Sequence, residues 1–381
     1  MALTRRQALV GAGAAWLGLR AGGAAAMPPD SPRPAGLRRG IDLTPNGVLR
    51  PGTPQDYRVL RAQPWAPALL AATNHLRLWA DWPTLQPTPR PLADRANPGR
   101  PNLEALDAQV TAAAADGLQV ILMPYRYPRW ANATEDGKPP GGHGKAAEYR
   151  LPTFGHGPFT PWAGFVDALW DRYAGRIAGF EVVNEPNLQL WPQSGAAATV
   201  ASMMLTVDAA ARRHHFAATC LAPSHSDAET RRPWMVTEHR DFTAELLDAL
   251  DARGFAGGPH WIWSFHNYND MEQGEDRVAA LRAQLDGRWR GRAAPDGGPR
   301  LYATEGGCRL EAVRRRYGPG LSEAEQLAGQ ADVLRDAVRR TAATPGVGLL
   351  TQYTVHADPA YDCGLREADG TRRPAFAAWV A

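Results

Sequence analysis

Two glutamates in this sequence each stand at the end of a short apolar run. Glu185 closes residues 179–185 within an Asn-Glu-Pro tripeptide, and Glu305 lies near the end of residues 300–306. A pair of carboxyl groups facing one cavity suits cleavage of a glycosidic bond, because one must protonate the departing oxygen while the other stays ionised. The two glutamates are therefore candidate catalytic residues if the fold brings them together.

The elements that would position them repeat along the chain. Eight apolar runs of strand length alternate with helical periodicity, which predicts parallel strands covered on both faces or closed into a barrel. The alternation predicts an α/β fold, a single (β/α)8 TIM barrel, in which strands four and seven end across one rim. A doubly wound sheet is the alternative, but no Gly-x-Gly-x-x-Gly follows the first strand. The predicted strands are residues 40–44, 75–80, 119–125, 179–185, 218–224, 261–268, 300–306 and 348–355.

Local signals predict where three helices begin or end. Asn102 is a candidate cap for a helix that ends at Gly117. Thr160, followed by proline, predicts the start of a second helix. Ser322 and Glu325 have the spacing of a capping box at the start of a third.

The N-terminal region has the pattern of an export signal. Paired arginines precede an apolar run at residues 8–19 and an alanine-rich site before residue 27. This pattern predicts a twin-arginine signal peptide over residues 1–26, and hence an exported periplasmic or extracellular protein. Residues 27–38, rich in Pro, Arg and Gly, are predicted as a linker, and residues 39–381 as the catalytic domain.

The charge balance argues against a nucleic-acid partner. The formal net charge is +3, with 42 basic and 39 acidic residues. The predicted signal holds three arginines and no acid, so the remainder has 39 of each sign. No later segment is long and apolar enough for a membrane span, so we expect no membrane association of the mature form. Nothing indicates an obligate protein partner.

Three cysteines leave the redox state open. Cys220 lies in an apolar run and is expected to be a small core residue. Cys308 and Cys363 follow two late strands, and spacing alone does not decide whether they form a disulfide.

With these residues in view, the chain resembles the retaining β-glycosidase superfamily called clan A, particularly glycoside hydrolase families 5 and 39. The resemblance extends from RRGIDL to DGTRRPAFAAW. It implies hydrolysis of O-glycosidic bonds in a poly- or oligosaccharide by two steps through a covalent glycosyl-enzyme. In that scheme Glu185 is the acid/base and Glu305 the nucleophile.

The resemblance also implies roles for residues around the two carboxyl groups. Asn184 is similar to the asparagine that binds the sugar 2-hydroxyl, and Arg77 in HLRLW resembles an arginine that pairs with the nucleophile. His266 and Tyr268 in SFHNY match a His-x-Tyr motif whose tyrosine hydrogen-bonds the nucleophile. Arg77 and Tyr268 are then expected to lower the pKa of Glu305 and keep it ionised.

Aromatic side chains are expected to bind the sugar. Tryptophan faces stack on the apolar C–H faces of pyranose rings. Trp82, Trp130 and Trp191 are predicted to line the cleft, the second of them within the long segment of residues 126–160.

Other chemistries fit less well. Metal hydrolases need clustered ligands, but no His-Glu-x-x-His or Cys-x-x-Cys occurs, and nothing predicts a metal or a cofactor. A serine-hydrolase Gly-x-Ser-x-Gly elbow is also missing. Two alternatives stay open: a non-catalytic glycan-binding barrel, and a transglycosylase that uses the same site but excludes water.

Overall fold

Eight parallel strands close into a barrel, in sequence order, with β8 pairing back to β1. The computed structural model describes residues 37–43, 52–131, 160–188, 195–227, 237–274, 277–359 and 361–381. The predicted TIM barrel is confirmed, as is the existence of all eight predicted strands. The strands are β1 Arg38–Asp42, β2 His75–Asp81, β3 Gln119–Tyr125, β4 Gly179–Glu181, β5 Thr219–Leu221, β6 Trp261–His266, β7 Leu301–Glu305 and β8 Val347–Tyr353.

Helices connect the strands and cover the barrel. Among the described residues, three of the seven connections between strands carry one α-helix and four carry two. The described helices are α1 Tyr57–Arg61, α2 Ala66–Ala72, α3 Trp82–Leu85, α4 Arg100–Ala115, α5 Thr160–Tyr173, α6 Ala196–Arg213, α7 His239–Asp251, α8 Tyr268–Gln273, α9 Arg277–Leu285, α10 Leu310–Tyr317, α11 Glu323–Ala343 and α12 Pro374–Val380.

Two of the three predicted helix boundaries are confirmed in detail. Helix α5 begins at Thr160, and Ser322 forms a reciprocal capping box with Glu325 at the start of α11. The predicted cap at Asn102 is wrong, because α4 already begins at Arg100 and Asn102 lies inside its first turn. There its side-chain amide donates to the Thr84 carbonyl at 3.1 Å.

Strand side chains alternate between the barrel interior and the helix layer. Val120 and Leu122 pack in the large cluster shared with the helices, whereas Ile121 between them belongs to a separate small cluster. Because successive strand residues point to opposite faces, that small cluster lies inside the barrel. Its members are Ile121, Leu221, Ile262, Tyr302 and Leu349.

The same alternation turns polar side chains inward. Leu76 and Leu78 pack toward the helices, so Arg77 between them points into the barrel. Phe180 and Val182 likewise pack outward and leave Glu181 inside. A charged layer therefore lies inside the barrel, at the end where the strands finish and where active sites of this fold form.

The structure bears on the predicted N-terminal segments only in part. The predicted signal and most of the predicted linker lie outside the described residues, and β1 begins at Arg38, the last residue assigned to the linker.

In the described part of the chain, no helix has both the length and the hydropathy needed to cross a bilayer. Cys220, Cys308 and Cys363 are all buried free thiols.

Candidate active site

A buried arginine organises the charged layer. Arg77 Nη1 donates to Oε2 of Glu305 at 2.6 Å and to Oδ2 of Asp42 at 2.9 Å. Its Nε donates to Oε2 of Glu181 at 2.8 Å, and its Nη2 to Oδ1 of Asn184 at 2.7 Å. Burial by itself lowers the pKa of Arg77, but the surrounding carboxylates raise it above its ordinary value. The guanidinium therefore stays charged and holds four side chains in one arrangement.

Glu305 stands at the end of β7 with a donor on each oxygen. Tyr268 donates its hydroxyl to Oε1 at 2.8 Å, opposite the Arg77 contact on Oε2. The residue is only 6 % exposed. Burial raises the pKa of Glu305 above its ordinary value, although His266 and Arg77 act to lower it. The expectation of a lowered pKa is thus wrong, because removing the carboxylate from water outweighs its donors.

Glu185 follows β4 in the chain, four residues beyond Glu181, and faces the same space. Its amide donates to the Ser224 carbonyl at 2.8 Å, which extends the β4–β5 pairing beyond Glu181. The backbone of Glu185 is left-handed, with φ +42°, a conformation that costs roughly 1–3 kcal/mol in a non-glycine residue. Its side chain is 19 % exposed, more than that of Glu305. Glu185 is therefore the more accessible of the two carboxyl groups.

His266 lies between the two glutamates. Its Nδ1 is 2.9 Å from Oε1 of Glu185, and its Nε2 is 3.6 Å from Oε2 of Glu305. A register shift in the β6–β7 pairing falls between Phe265 and His266, and such bulges re-aim side chains. Burial lowers the pKa of His266, but Glu305 and Glu185 raise it above its ordinary value overall. A positive charge is therefore favoured between two acids.

The separation of the carboxyl groups is short. One ligand atom each from Glu185, His266 and Glu305 lies within 4.8 Å of the others. One oxygen of each glutamate is therefore no more than 4.8 Å from the other, which is below the ~6.5–9.5 Å between the carboxyl groups of inverting glycosidases.

The same three side chains have the donor types of a metal site. A metal ion bound there would be repelled by the guanidinium of Arg77, whose Nη1 lies 2.6 Å from Oε2 of Glu305. The other oxygen, Oε1, already accepts a hydrogen bond from Tyr268. Positive charge and occupied lone pairs make this carboxylate a poor metal ligand. The arrangement suits proton transfer and nucleophilic attack better than metal binding.

A second buried carboxyl group supports the helix that carries Tyr268. Asp227, after β5, accepts a 2.6 Å hydrogen bond from the Asn269 amide in the first turn of α8. Its carbonyl accepts from Asn269 Nδ2 at 2.8 Å and from Arg277 Nη1 at 2.7 Å. Burial, followed by the charge of Asp270, raises the pKa of Asp227 to about 7. The start of α8 thus depends on a carboxyl group that titrates near neutral pH.

The predicted cleft tryptophans have different locations. Trp82 is fully buried, stacks on Phe165 with 4.6 Å between ring centroids, and donates Nε1 to Gln86. The prediction that Trp82 lines the cleft is wrong, because the side chain fills the layer between barrel and helices. Trp130 is half-buried and meets Trp82 edge-on at 5.7 Å. Trp191 lies outside the described residues.

Sequence reasoning missed two members of the charged layer. Asp42 accepts from Trp79 Nε1 at 2.7 Å as well as from Arg77. Glu181 Oε1 accepts from the hydroxyls of Ser264 at 3.0 Å and Thr304 at 2.7 Å. An acid within the apolar run GFEVV was the available signal for Glu181, because a buried charge needs partners.

Comparisons with known proteins agree with this fold. No protein-family model matches the chain, and no curated protein is similar to it in sequence. Among solved structures, a GH5_18 protein from Bifidobacterium longum subsp. infantis has a TM-score of 0.55 at 16 % identity, covering 91 % of this chain and 78 % of that one. A GH10 endoxylanase from a sugarcane soil metagenome has a TM-score of 0.52 at 14 % identity, covering 91 % and 95 %.

A third structure is similar to the same extent. Xylanase 10B from Thermotoga petrophila RKU-1, solved with xylobiose, has a TM-score of 0.53 at 14 % identity, covering 90 % of this chain and 92 % of that one. Several structural neighbours are thus glycoside hydrolases. At these identities the likeness shows a shared fold.

Proposed function

We propose that this protein is a retaining glycoside hydrolase that cleaves β-linked oligo- or polysaccharides. The observation that carries the proposal is the close approach of Glu185 and Glu305: a carboxylate oxygen of one lies within 4.8 Å of a carboxylate oxygen of the other. Their environments differ: Glu305 is held by Arg77 and Tyr268, whereas Glu185 is more accessible and contacts His266. Unequal surroundings of two carboxyl groups are what an acid and a nucleophile require.

In the first step, a carboxylate oxygen of Glu305 attacks the anomeric carbon while Glu185 donates its proton to the departing glycosidic oxygen. The C–O bond to the leaving group breaks as the ester bond to Glu305 forms. Arg77 and Tyr268 orient the attacking carboxylate through their hydrogen bonds. Because the bond forms on the face opposite the leaving group, the anomeric configuration inverts once.

In the second step, Glu185, now ionised, removes a proton from water, and the hydroxide oxygen attacks the anomeric carbon. The ester to Glu305 breaks, and the configuration inverts again, giving net retention. His266 Nδ1 lies 2.9 Å from Glu185, and the charges of Glu305 and Glu185 raise the pKa of His266, so this side chain is placed to stabilise Glu185 when it is ionised.

The glycosidase proposal is tested with p-nitrophenyl β-xyloside, β-mannoside and β-glucoside, together with xylan and mannan. We expect the wild type to release product with retained configuration by NMR, and Glu305→Ala to lose at least ~10³-fold in kcat. Azide should restore turnover by Glu305→Ala with an activated substrate, giving the inverted glycosyl azide. The exposed Glu323 on α11 supplies the matched control, Glu323→Ala.

Loss of the acid/base should have a different pattern. Glu185→Ala should slow substrates with poor leaving groups most, because only these need protonation to depart. Product of inverted configuration from the wild type, or wild-type turnover by Glu305→Ala, would refute the mechanism. A sugar acceptor added to the assay separates hydrolysis from transglycosylation, since the latter produces a longer glycoside.

We also propose that the N-terminal segment directs export by the twin-arginine route, because paired arginines precede its apolar run. Replacing Arg5 and Arg6 with lysine should retain the protein in the cytoplasm, whereas export of the double-lysine variant at the normal level would reject this route. Cell fractionation measures the outcome.

A further inference from the structure

A buried asparagine two residues after Glu185 joins three segments of the backbone. Asn187 is fully buried, and its Nδ2 donates to the carbonyls of Ser226 at 3.0 Å and of Thr237 at 3.1 Å. Its Oδ1 accepts from the Ser226 amide at 2.8 Å, and its own carbonyl accepts from the Thr237 amide at 2.9 Å. The side chain therefore ties the turn after β4 to the residues after β5 and to those just before α7.

The two bonds to Ser226 resemble those between paired strands. A side-chain carboxamide presents an acceptor and N–H donors, as a backbone peptide group does. Regular pairing of β4 with β5 ends at Glu181 and Leu221. Asn187 thus continues the contact between these two segments where the backbone itself no longer pairs regularly.

Glu185 begins the turn that Asn187 anchors. The Leu188 amide donates to the Glu185 carbonyl at 3.1 Å, which closes the four-residue turn 185–188. Glu185 has φ +42°, and the proline that follows it restricts its backbone further. A non-glycine residue keeps such a conformation only where surrounding contacts hold it there. The Ser224 carbonyl provides one contact at the start of the turn, and Asn187 provides the other within it.

The direction of the Glu185 side chain depends on this backbone. Its Oε1 lies 2.9 Å from Nδ1 of His266, and one of its carboxyl oxygens lies within 4.8 Å of one of Glu305. Proton transfer to a glycosidic oxygen requires hydrogen-bond reach, and a misplacement of about 1 Å can cost on the order of 10²-fold in rate. A shift of this turn would move Glu185 and leave Glu305, which lies on β7, in place.

We propose that Asn187 is a positioning residue, which holds the turn that directs the carboxyl group of Glu185 toward His266 and toward the departing glycosidic oxygen. In this role Asn187 acts through Glu185 and does not itself react. The inference rests on the proposed glycosidase function, since the acid/base role of Glu185 belongs to that proposal. The placement of Glu185 against His266 is measurable without turnover, which separates the two.

Kinetics with two leaving groups provide the first test. For the sugar that the wild type cleaves fastest, kcat/KM is measured with the phenyl β-glycoside, which needs protonation to depart, and with the 2,4-dinitrophenyl β-glycoside, which does not. Asn187→Ala should lower kcat/KM about 100-fold for the phenyl glycoside and no more than about 3-fold for the dinitrophenyl glycoside. A variant that only destabilises the fold would lower both values equally.

The pKa of His266 provides a test that needs no activity. Burial lowers this pKa, but the charges of Glu305 and Glu185 raise it above its ordinary value. If Asn187→Ala lets Glu185 move away, the pKa of His266 should fall, and NMR titration of the imidazole measures the change. Glu185→Gln removes the charge itself and sets the largest fall to be expected.

Asn97 supplies the matched control, because it is also buried and also makes three side-chain bonds to the backbone. Its Nδ2 donates to the carbonyls of Leu85 at 2.8 Å and Leu92 at 3.3 Å, and its Oδ1 accepts from the Gly99 amide at 3.1 Å. Asn97→Ala should lower the melting temperature to a similar extent. It should keep the wild-type ratio of the two kcat/KM values and the wild-type pKa of His266.

A wild-type ratio of the two kcat/KM values in Asn187→Ala, or an unchanged pKa of His266, would overturn the proposal. An equal change of the ratio in Asn97→Ala would overturn it as well. Asn187→Asp keeps the side-chain volume and, when protonated, two of the three bonds, so it replaces the alanine variant if that variant does not fold. No turnover by the wild type rejects the glycosidase function, while the His266 titration still decides whether Asn187 positions Glu185.

Discussion

The guanidinium of Arg77 and the carboxylate of Glu305 form a buried ion pair of 2.6 Å, although the two residues lie 228 positions apart in the chain. The position of Arg77 is fixed, because its side chain is fully buried and also pairs with Asp42 and Glu181. Three carboxyl groups therefore depend on one cation. The geometry of the candidate active site and the stability of the charged layer are therefore coupled through Arg77.

Arg77→Lys should weaken both properties. Lysine offers one compact charge in place of a planar fork, so at least one buried carboxylate loses its partner. We expect the free energy of unfolding to fall by about 3 kcal/mol and kcat/KM by on the order of 10²-fold. Chemical denaturation and aryl-glycoside kinetics measure these changes. Arg90→Lys, at an exposed arginine, is the control, and a stable, fully active Arg77→Lys would exclude the proposed coupling.

Replacing His266 should move the acidic side of the pH–rate profile. The charge of His266 lowers the pKa of Glu305, which burial has already raised. His266→Gln removes that charge, so the pKa of Glu305 should rise further and activity should be lost at a higher pH as the solution is acidified. The kcat/KM profile of an activated aryl glycoside reports this shift.

The control for that experiment is His215→Asn. His215 is exposed on the surface and has φ +53°, a conformation that asparagine tolerates. Its profile should match the wild type. A shift of the His266→Gln profile toward lower pH would show that the histidine does not stabilise the ionised form of Glu305.

Asp227 should make stability depend on pH. Its pKa is raised to about 7 in the folded protein from an ordinary 3.8, so the folded state binds the proton more tightly than the unfolded state. Its stabilising contribution is present below the unfolded pKa and is lost as the pH rises through about 7. Asp227→Asn should flatten the decline in unfolding free energy between about pH 4 and 7, by on the order of a few kcal/mol. Denaturation across this range measures it, with the exposed Asp332→Asn as control.

Trp82→Phe should separate packing from sugar binding. Trp82 is fully buried and donates Nε1 to Gln86 at 2.8 Å, so the smaller ring leaves a void and an unpaired acceptor. We expect a loss of about 2–3 kcal/mol in unfolding free energy and an unchanged KM. Trp170→Phe, at another fully buried tryptophan, should lower the unfolding free energy through the void alone and should also leave KM unchanged. A raised KM in Trp82→Phe alone would restore the cleft assignment.

Periodicity in the sequence was enough to predict the barrel and the elements that carry the two glutamates. It did not reveal how far each strand runs. Regular pairing in β4 ends at Glu181, whereas the apolar run continues to Glu185. The run continues because Val182 and Val183 are still buried, and hydrophobicity reports burial rather than hydrogen-bond geometry.

Residue types and their order along the chain determined the alternation of strands and helices, the capping box at Ser322, and the placement of Glu185 after β4 and of Glu305 at the end of β7. These are local properties, set by a few neighbouring residues. The tertiary structure alone decided that burial raises the pKa of Glu305, that Trp82 packs in the core, and that Tyr361 lies beside Tyr268. Desolvation and ring contacts depend on groups distant in sequence, and only closure of the barrel brings those groups together.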